Sequence, residues 1–239
     1  MKPEDKLYWI NRPDNDSRRD WIYNSADWIE DYWASKSHPH RESLLQAIGS
    51  LHPFESVFEI GCNCGPNLSL IRERFTYLED CNLYGIDVNY QAISAAKKRM
   101  PNVNFKVAMA THIPIDYMFD LVLADAVLMY LSPDEIKAAI LEIDRITKKA
   151  VILVEWHDSK SIKGVIKDYH WARNYEKIFK KLGYNVKKIK LTEKEWPSKN
   201  WIKNGYIYIA VRQSLISKTN LESELVFKNI IQSSMPLTV

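Results

Sequence analysis

The stretch Val57-Phe58-Glu59-Ile60-Gly61-Cys62-Asn63-Cys64-Gly65 constrains this chain more than any other. Its first four residues read as a short buried strand. A turn bounded by Gly61 and Gly65 follows, and Pro66 leads into a helical pattern over residues 67–75. A strand that turns this sharply into a helix presents free backbone amides and a positive helix end to a bound anion. Glycine at both ends of the turn allows backbone angles, or a ligand approach, that a side chain would block. The chain has only 7 glycines in 239 residues, so a pair bracketing one loop is informative. Glu59 lies on the feeding strand, two residues before the first glycine. A small polar ligand is the implied occupant.

Strand and helix patterns alternate on either side of this turn. Residues 81–86 read as a second strand ending at Asp87, and 90–100 as a helix closed by Pro101. Residues 103–107 read as a third strand, and 119–124 as a fourth ending at Asp125. Ser132, Pro133 and Glu135 make a helix start: a capping serine, proline in the first helical position, and glutamate three residues after the cap. Ile136, Ala139, Ile140 and Ile143 then share one face. Residues 150–154 are an apolar run of the kind buried on both sides of a parallel sheet. Residues 155–168 read as an irregular polar connection. A helix carrying Tyr175, Ile178, Phe179 and Leu182 follows and stops at Gly183. Residues 184–191 and 205–212 read as strands joined by a loop over 192–204, an antiparallel hairpin at one sheet edge. The expected fold is α/β, a Rossmann-like, seven-stranded, mostly parallel sheet with a terminal antiparallel hairpin and helices on both faces.

Residues 1–50 crowd aromatics together: Trp9, Trp21, Tyr23, Trp28, Tyr32 and Trp33. Residues 28–33 look helical, and 43–48 continue as a helix with Leu44, Leu45 and Ile48 at core spacing and Gly49 as its stop. This segment reads as a helix packed across the sheet or as a lid over the ligand, with His38, His40 and Arg41 near its inner end. The two readings are compatible. Residues 214–239 have weak periodicity and form an extension that the pattern does not place.

Composition removes several classes. An apolar content of 46% suits a full core, and a net charge of +3 is too small to argue for nucleic acid. No apolar run approaches the ~20 residues of a membrane span. The opening residues MKPEDKLYWINRPD have no apolar signal core, so a cytoplasmic protein is expected. Three cysteines, two of them in the loop, do not make a disulfide framework. Cys62 and Cys64, with no matching pair elsewhere, do not complete a tetrahedral metal site, and no metal is expected.

Asp87 follows Gly61 by 26 positions. In a doubly wound sheet a carboxylate there can accept both hydroxyl hydrogens of a ribose. A dinucleotide fold would want G-x-G-x-x-G, but Asn63 and Pro66 replace its second and third glycines. The motif is instead E-x-G-x-x-x-G, which resembles the first motif of the class I S-adenosylmethionine-dependent methyltransferases. The resemblance continues through GIDVN at 85–89, AMATHIP at 108–114 and FDLVLADAVLMYLSP at 119–133, and covers about residues 57–212. It implies a cofactor-binding domain over 51–213 behind an N-terminal helical cap over 1–50. Gly61, Cys62, Asn63 and Gly65 would lie against the methionine part of S-adenosylmethionine, with Glu59 steering the loop or the cofactor amine. Asp87 would hold the ribose, Val88 would pack on the adenine, Ala110 and Thr111 would meet the adenine edge, and Asp125 would face the methionine portion or the substrate. The product would be S-adenosylhomocysteine. Met109 stands where the family often has an aspartate that accepts from the adenine amino group. Methionine cannot replace that acceptor well, which leaves backbone groups or His112.

The expected reaction moves a methyl group to an O or N atom of a small-molecule acceptor. Its main demand is orientation, worth up to ~7–11 kcal/mol. His157 and His170 are the weak candidates for a general base, and Arg41 or Arg173 for binding an acidic substrate. A basic run spans Lys177, Lys180, Lys181, Lys187, Lys188 and Lys190. It keeps open a methyltransferase-like module that binds RNA or a partner, although no stacking aromatics interleave with it. A nicotinamide-dependent dehydrogenase is the other alternative. Asp125-Ala126-Val127-Leu128 stands where base-modifying relatives carry an Asn/Asp-Pro-Pro-aromatic motif, which argues against that branch.

Overall fold

The computed structural model describes residues 6–10, 12, 27–167 and 170–213. Strands β1 (Val57–Ile60), β2 (Leu83–Asp87), β3 (Asn104–Val107), β4 (Phe119–Asp125) and β5 (Thr147–Trp156) pair in parallel. A small ribbon follows, β6 (Val165–Lys167) and β7 (His170–Ala172). Strands β8 (Tyr184–Lys190) and β9 (Gly205–Arg212) complete the main sheet in the order β3-β2-β1-β4-β5-β9-β8, with β9 antiparallel to both neighbours. Helices α1 (Lys6–Ile10), α2 (Trp28–Ala34) and α3 (His40–Gly49) precede the sheet. Helices α4 (Pro66–Arg74), α5 (Tyr90–Arg99), α6 (Glu135–Ile146), α7 (Tyr175–Lys181) and α8 (Lys199–Asn204) fall between strands. The expected seven-stranded α/β sheet with its terminal hairpin is present.

Burial on both faces explains the unbroken apolar runs. On β4, Leu121 and Leu123 pack in the core with α3 and α4, while Val122 and Ala124 pack in a second core with α6 and α7. The same alternation places Ile207 in the first core and Tyr208 in the second. Strand order reverses at β1, whose neighbours are β2 and β4, so the connections leaving β1 and β4 diverge and open a crevice at their carboxyl ends.

The capping box before α6 forms as its sequence requires. Glu135 Oε2 accepts from Ser132 N and Oγ at 3.1 and 2.9 Å, and Ile136 N donates to Ser132 O at 3.0 Å. Three local readings are corrected. The connection over 192–204 contains α8, whose Trp201 ring stacks on Trp196 with centroids 3.7 Å apart. The segment 155–168 is not wholly irregular, because β5 runs on to Trp156 and β6 begins at Val165. Elements of three to six residues are too short to show a period, and long-range contacts decide them. The second strand starts at Leu83, after a 3-10 turn over Asp80–Asn82. Trp21, Tyr23 and residues 214–239 lie outside the described residues.

Replacing Ser132 by Ala removes the cap and should cost about 1 kcal/mol. For a domain of this size that is a fall of about 2–4 °C in Tm, readable by scanning calorimetry.

Candidate active site

The crevice at the switch point is built from two turns. After β1, Gly61, Asn63 and Gly65 all take left-handed angles, with φ of 68°, 50° and 88°. A Cβ on Gly61 would lie 2.3 Å from Val127 Cγ2, so this position is closed to side chains by space as well as by angle. Cys62 N donates to Ile86 O at 2.9 Å and ties the loop to β2. After β4 the chain passes through Ala126, also left-handed at 56°, into a 3-10 turn over Leu128–Tyr130.

Asp87 joins the first turn to the end of β2. Its Oδ2 accepts from Asn63 N and its Oδ1 from Asn89 N, both at 2.9 Å. Burial pushes its pKa up, against the Asn89 and Asn63 amides, which favour the charged form. Each carboxylate oxygen has acceptor capacity beyond the one bond it makes here.

Glu155, which the sequence analysis missed, holds the second turn from below. Its Oε1 accepts from Val127 N at 2.9 Å and Leu128 N at 2.6 Å, and its Oε2 from Met129 N at 3.0 Å. Burial pushes this carboxyl up to about 8, against the Val127 and Leu128 amides. In sequence it is the acidic end of an apolar strand, and nothing local marks it as a turn anchor.

A buried network lies between the turns. Asn67 Nδ2 donates to Glu59 Oε1 at 2.7 Å and to Asp125 Oδ2 at 3.1 Å. Asn67 Oδ1 accepts from Arg41 NH1, and Arg41 also donates to Ser35 O and Oγ, each at 2.7 Å. His40 Nε2 donates to Asp125 Oδ2 at 2.9 Å, and His40 Nδ1 lies 2.5 Å from His38 Nδ1. Burial opposes ionisation of Asp125, but His40 and Arg41 outweigh it and hold the carboxyl well below the usual range. Glu59 goes the other way: burial pushes it up to about 8 against the Asn67 donor. Two neighbouring carboxyls thus sit in opposite protonation states at neutral pH. Among the described residues, Glu59 Oε2 and Asp125 Oδ1 are buried without a hydrogen-bond partner.

One cavity opens between the turns. Of the residues expected to contact a cofactor, Gly61, Asn63, Asp87, Val88, Ala110, Thr111 and Asp125 line it. Met109 lines it as well. Glu59 lies beneath the loop, Cys62 packs under Gly85, and Gly65 caps α4. The side chains of Trp9, Tyr32 and Tyr130 complete the wall. Asn89 Nδ2 donates to Trp9 O at 2.8 Å and Arg12 O at 3.0 Å, which pins the N-terminal segment beside the cavity.

The weak base candidates stand outside this lining. His157 Nδ1 pairs with the Tyr208 hydroxyl at 2.6 Å, and burial together with Lys188 and Lys167 lowers its pKa. The His170 ring packs on Tyr130 and Trp156 at 5.1 and 4.8 Å. Arg173 is buried and donates to the carbonyls of Leu128, Leu131 and Lys163. Both arginines considered for substrate are therefore committed to internal partners. The loop thiols point apart: Cys62 lies against Gly85, and Cys64 donates to Ile29 O at 3.4 Å. Among the described residues no three His, Cys, Asp or Glu side chains are placed to hold a metal ion, and no helix is long and apolar enough to cross a membrane.

Comparison with known proteins agrees with this architecture. Residues 57–150 match a family model described as a methyltransferase domain. A trans-aconitate 2-methyltransferase of Rhizobium rhizogenes is 28% identical over 125 residues, which are 52% of this chain and 46% of that protein. The chain thus matches less than half the length of this relative. The magnesium protoporphyrin IX methyltransferase of Synechocystis PCC 6803, solved with its cofactor bound, superposes with a TM-score of 0.59 at 15% identity, covering 89% of this chain and 98% of that one. The N-methyltransferase NodS of Bradyrhizobium japonicum WM9, solved with S-adenosylhomocysteine, gives 0.59 at 16% identity, covering 75% and 91%.

Two outcomes follow from the buried carboxyls. Glu155→Gln turns an acceptor into a donor facing at least one turn amide, and should cost about 1–3 kcal/mol in urea unfolding. For Glu59 the folded pKa of about 8 lies above the ordinary 4.5, so the folded chain holds a proton that the unfolded chain releases. Its contribution is fully present below that window and is lost as pH rises through it. Stability measured from pH 5 to 9 should therefore fall less steeply in Glu59→Gln than in the wild type.

Proposed function

We propose that this protein is a methyltransferase that binds S-adenosylmethionine in the switch-point cavity and methylates an O or N atom of a small molecule. The observation that carries this reading is the convergence on one cavity of Asp87, the Gly61–Asn63 turn and the Val88, Ala110 and Thr111 walls. The donor set fits the cofactor. Asp87 is fixed by two backbone amides and could accept from the two ribose hydroxyls, while Asp125, held ionised in the same lining, would face the positively charged methionine end. Val88, Ala110 and Thr111 line the same cavity and would face the adenine, with backbone groups in place of the acceptor that Met109 lacks. S-adenosylmethionine supplies, when bound, a methyl on a sulfonium, so that a nucleophile's lone pair takes the methyl and the C–S pair stays on sulfur.

The remaining work of the chain is orientation and exclusion of water. The N-terminal residues act as the cap of this reading: Trp9 and Tyr32 close one side of the cavity, held by Asn89. The sequence relative is named for trans-aconitate and the structural neighbours for magnesium protoporphyrin IX and for N-methylation. The first two of these names support a small-molecule acceptor.

Calorimetry of the full chain with S-adenosylmethionine and with NAD tests the assignment. Binding of the first and not the second is expected. Asp87→Asn, which keeps the shape but weakens the ribose acceptor, should reduce S-adenosylmethionine affinity roughly 10-fold or more. Tight NAD binding with no S-adenosylmethionine binding would overturn the reading.

A further inference from the structure

Three branched aliphatic side chains stand in water on the loop after β5 and on β6. Ile162, Val165 and Ile166 are 36%, 38% and 55% exposed, although they fall within a few residues of one another. Single exposed apolar residues are ordinary on a protein surface, but a contiguous cluster points to an interaction site. Looseness does not explain it, because the backbone is held at almost every step. Asp158 Oδ1 accepts from Lys160 N and Ser161 N at 2.9 and 2.7 Å, and Ser161 Oγ accepts from Gly164 N at 2.9 Å. Asn174 donates to Ser161 O through its backbone N–H and to Ser159 O through its side chain, each at 2.7 Å. Gly164, with φ of 112°, turns the chain where a Cβ would lie 3.0 Å from Arg173 Nε. The fold fixes these aliphatic side chains outward.

Lysines frame the cluster. Lys160 and Lys163 are exposed and, among the described residues, form no ion pair. Lys167 Nζ donates to His157 O at 2.9 Å, and Lys188 Nζ lies 3.3 Å from His157 Nε2, so the basic patch extends from the loop onto β8. Asp158 and Glu176 offset two of these charges, on Lys167 and Lys188. The imbalance is wider than the patch. Residues 157–204 hold 12 lysines and 1 arginine against 5 acidic residues, a net +8 in a chain whose total is +3. Positive charge is segregated into the part of the chain that carries the aliphatic cluster.

An anionic lipid bilayer satisfies both halves of this surface. Aliphatic tips enter the boundary between headgroups and acyl chains, while lysines beside them stay with the phosphates. A nucleic acid would match the charge, but it is met by open aromatic faces. The ring beside these lysines, Tyr206, is overlaid by Lys188 and Lys190 at 5.3 and 4.3 Å. The loop is also joined to the cavity. Arg173 Nε donates to Lys163 O at 3.0 Å, and its other nitrogens donate to Leu128 O and Leu131 O. Those carbonyls belong to the turn whose Tyr130 and Leu131 line the cavity, so one buried guanidinium ties the loop to a cavity wall.

We propose that the segment 159–167 docks this protein peripherally on an anionic lipid bilayer, with Ile162, Val165 and Ile166 as apolar tips and Lys160 and Lys163 as headgroup contacts.

Co-sedimentation of the full chain with vesicles is the test. One set is phosphatidylcholine alone, and the other an equal mixture of phosphatidylcholine and phosphatidylglycerol. The mixed vesicles should bind roughly 10-fold or more tightly, and the excess should shrink as salt is added. Ile162→Ser with Ile166→Ser keeps every charge and should weaken binding to mixed vesicles roughly 10-fold. Lys160→Gln with Lys163→Gln should weaken it about as much through charge. Lys97→Gln with Lys98→Gln removes the same charge from α5, at the opposite edge of the sheet, and should leave binding unchanged. All of these side chains are exposed, so each variant should keep the wild-type Tm. Equal binding of the wild type to both vesicle types, or to neither, would overturn the proposal. Binding that survives the isoleucine changes, or that falls as far with the α5 lysines, would do the same by showing adhesion through charge alone. Binding of single-stranded polyuridylate without binding of vesicles would give the patch to nucleic acid instead.

Discussion

Asn67 bridges two buried carboxyls and an arginine, and the geometry of the site depends on that bridge. Its amide nitrogen serves Glu59 on β1 and Asp125 on β4, and its oxygen takes Arg41 from α3. Three segments that are distant in sequence are thereby fixed where the first two strand ends meet. A buried carboxylate with fewer partners would be costly or would neutralise. Asp125 avoids neutralisation because His40 and Arg41 supply positive and hydrogen-bonding partners, and Glu59 takes the neutral state in compensation. The negative charge is thus concentrated on the residue that lines the cavity.

The same economy appears at the two turns. Backbone amides released where strands end need acceptors, and side-chain carboxylates provide them: Asp87 for Asn63 and Asn89, and Glu155 for Val127, Leu128 and Met129. These bonds hold the crevice open with its walls in register, and they link the cavity to β2 and β5. Rigidity at this level is what an in-line transfer requires, since small misplacements of the reacting groups are expensive. The N-terminal segment adds a third layer. Its docking through Asn89 makes the aromatic wall contingent on the turn that carries Asp87, so the two ends of the cavity are mechanically connected.

The main strands and the glycine turn were legible in the sequence because each rests on local physics. Apolar runs bounded by acidic ends identify strands buried on both faces, and glycine at Gly61 is required by a left-handed angle and by the closeness of Val127. The Ser132–Glu135 box is a contact between residues three apart, which sequence spacing can display. By contrast, α8 and the β6–β7 ribbon are too short to carry a period, and their identity comes from Trp196 and from pairing across a loop. Arg41 and Arg173 looked like substrate ligands as isolated charges, but the fold brings them internal partners: Ser35, Asn67 and Asp125 for the first and backbone carbonyls for the second.

By itself, then, the chain's sequence determined the α/β sheet, its terminal hairpin and the class of ligand suited to the Gly61–Gly65 turn, because those follow from periodicity, backbone angles and capping within a few residues. Only the tertiary structure decided that Glu155 supports the second turn, that Asp125 rather than Glu59 bears the charge, and that Trp9, Tyr32 and Tyr130 share one wall. The physical reason is the same in each case. Burial and partnership set the state of a polar or aromatic side chain, and both are properties of neighbours that the sequence places tens of residues away.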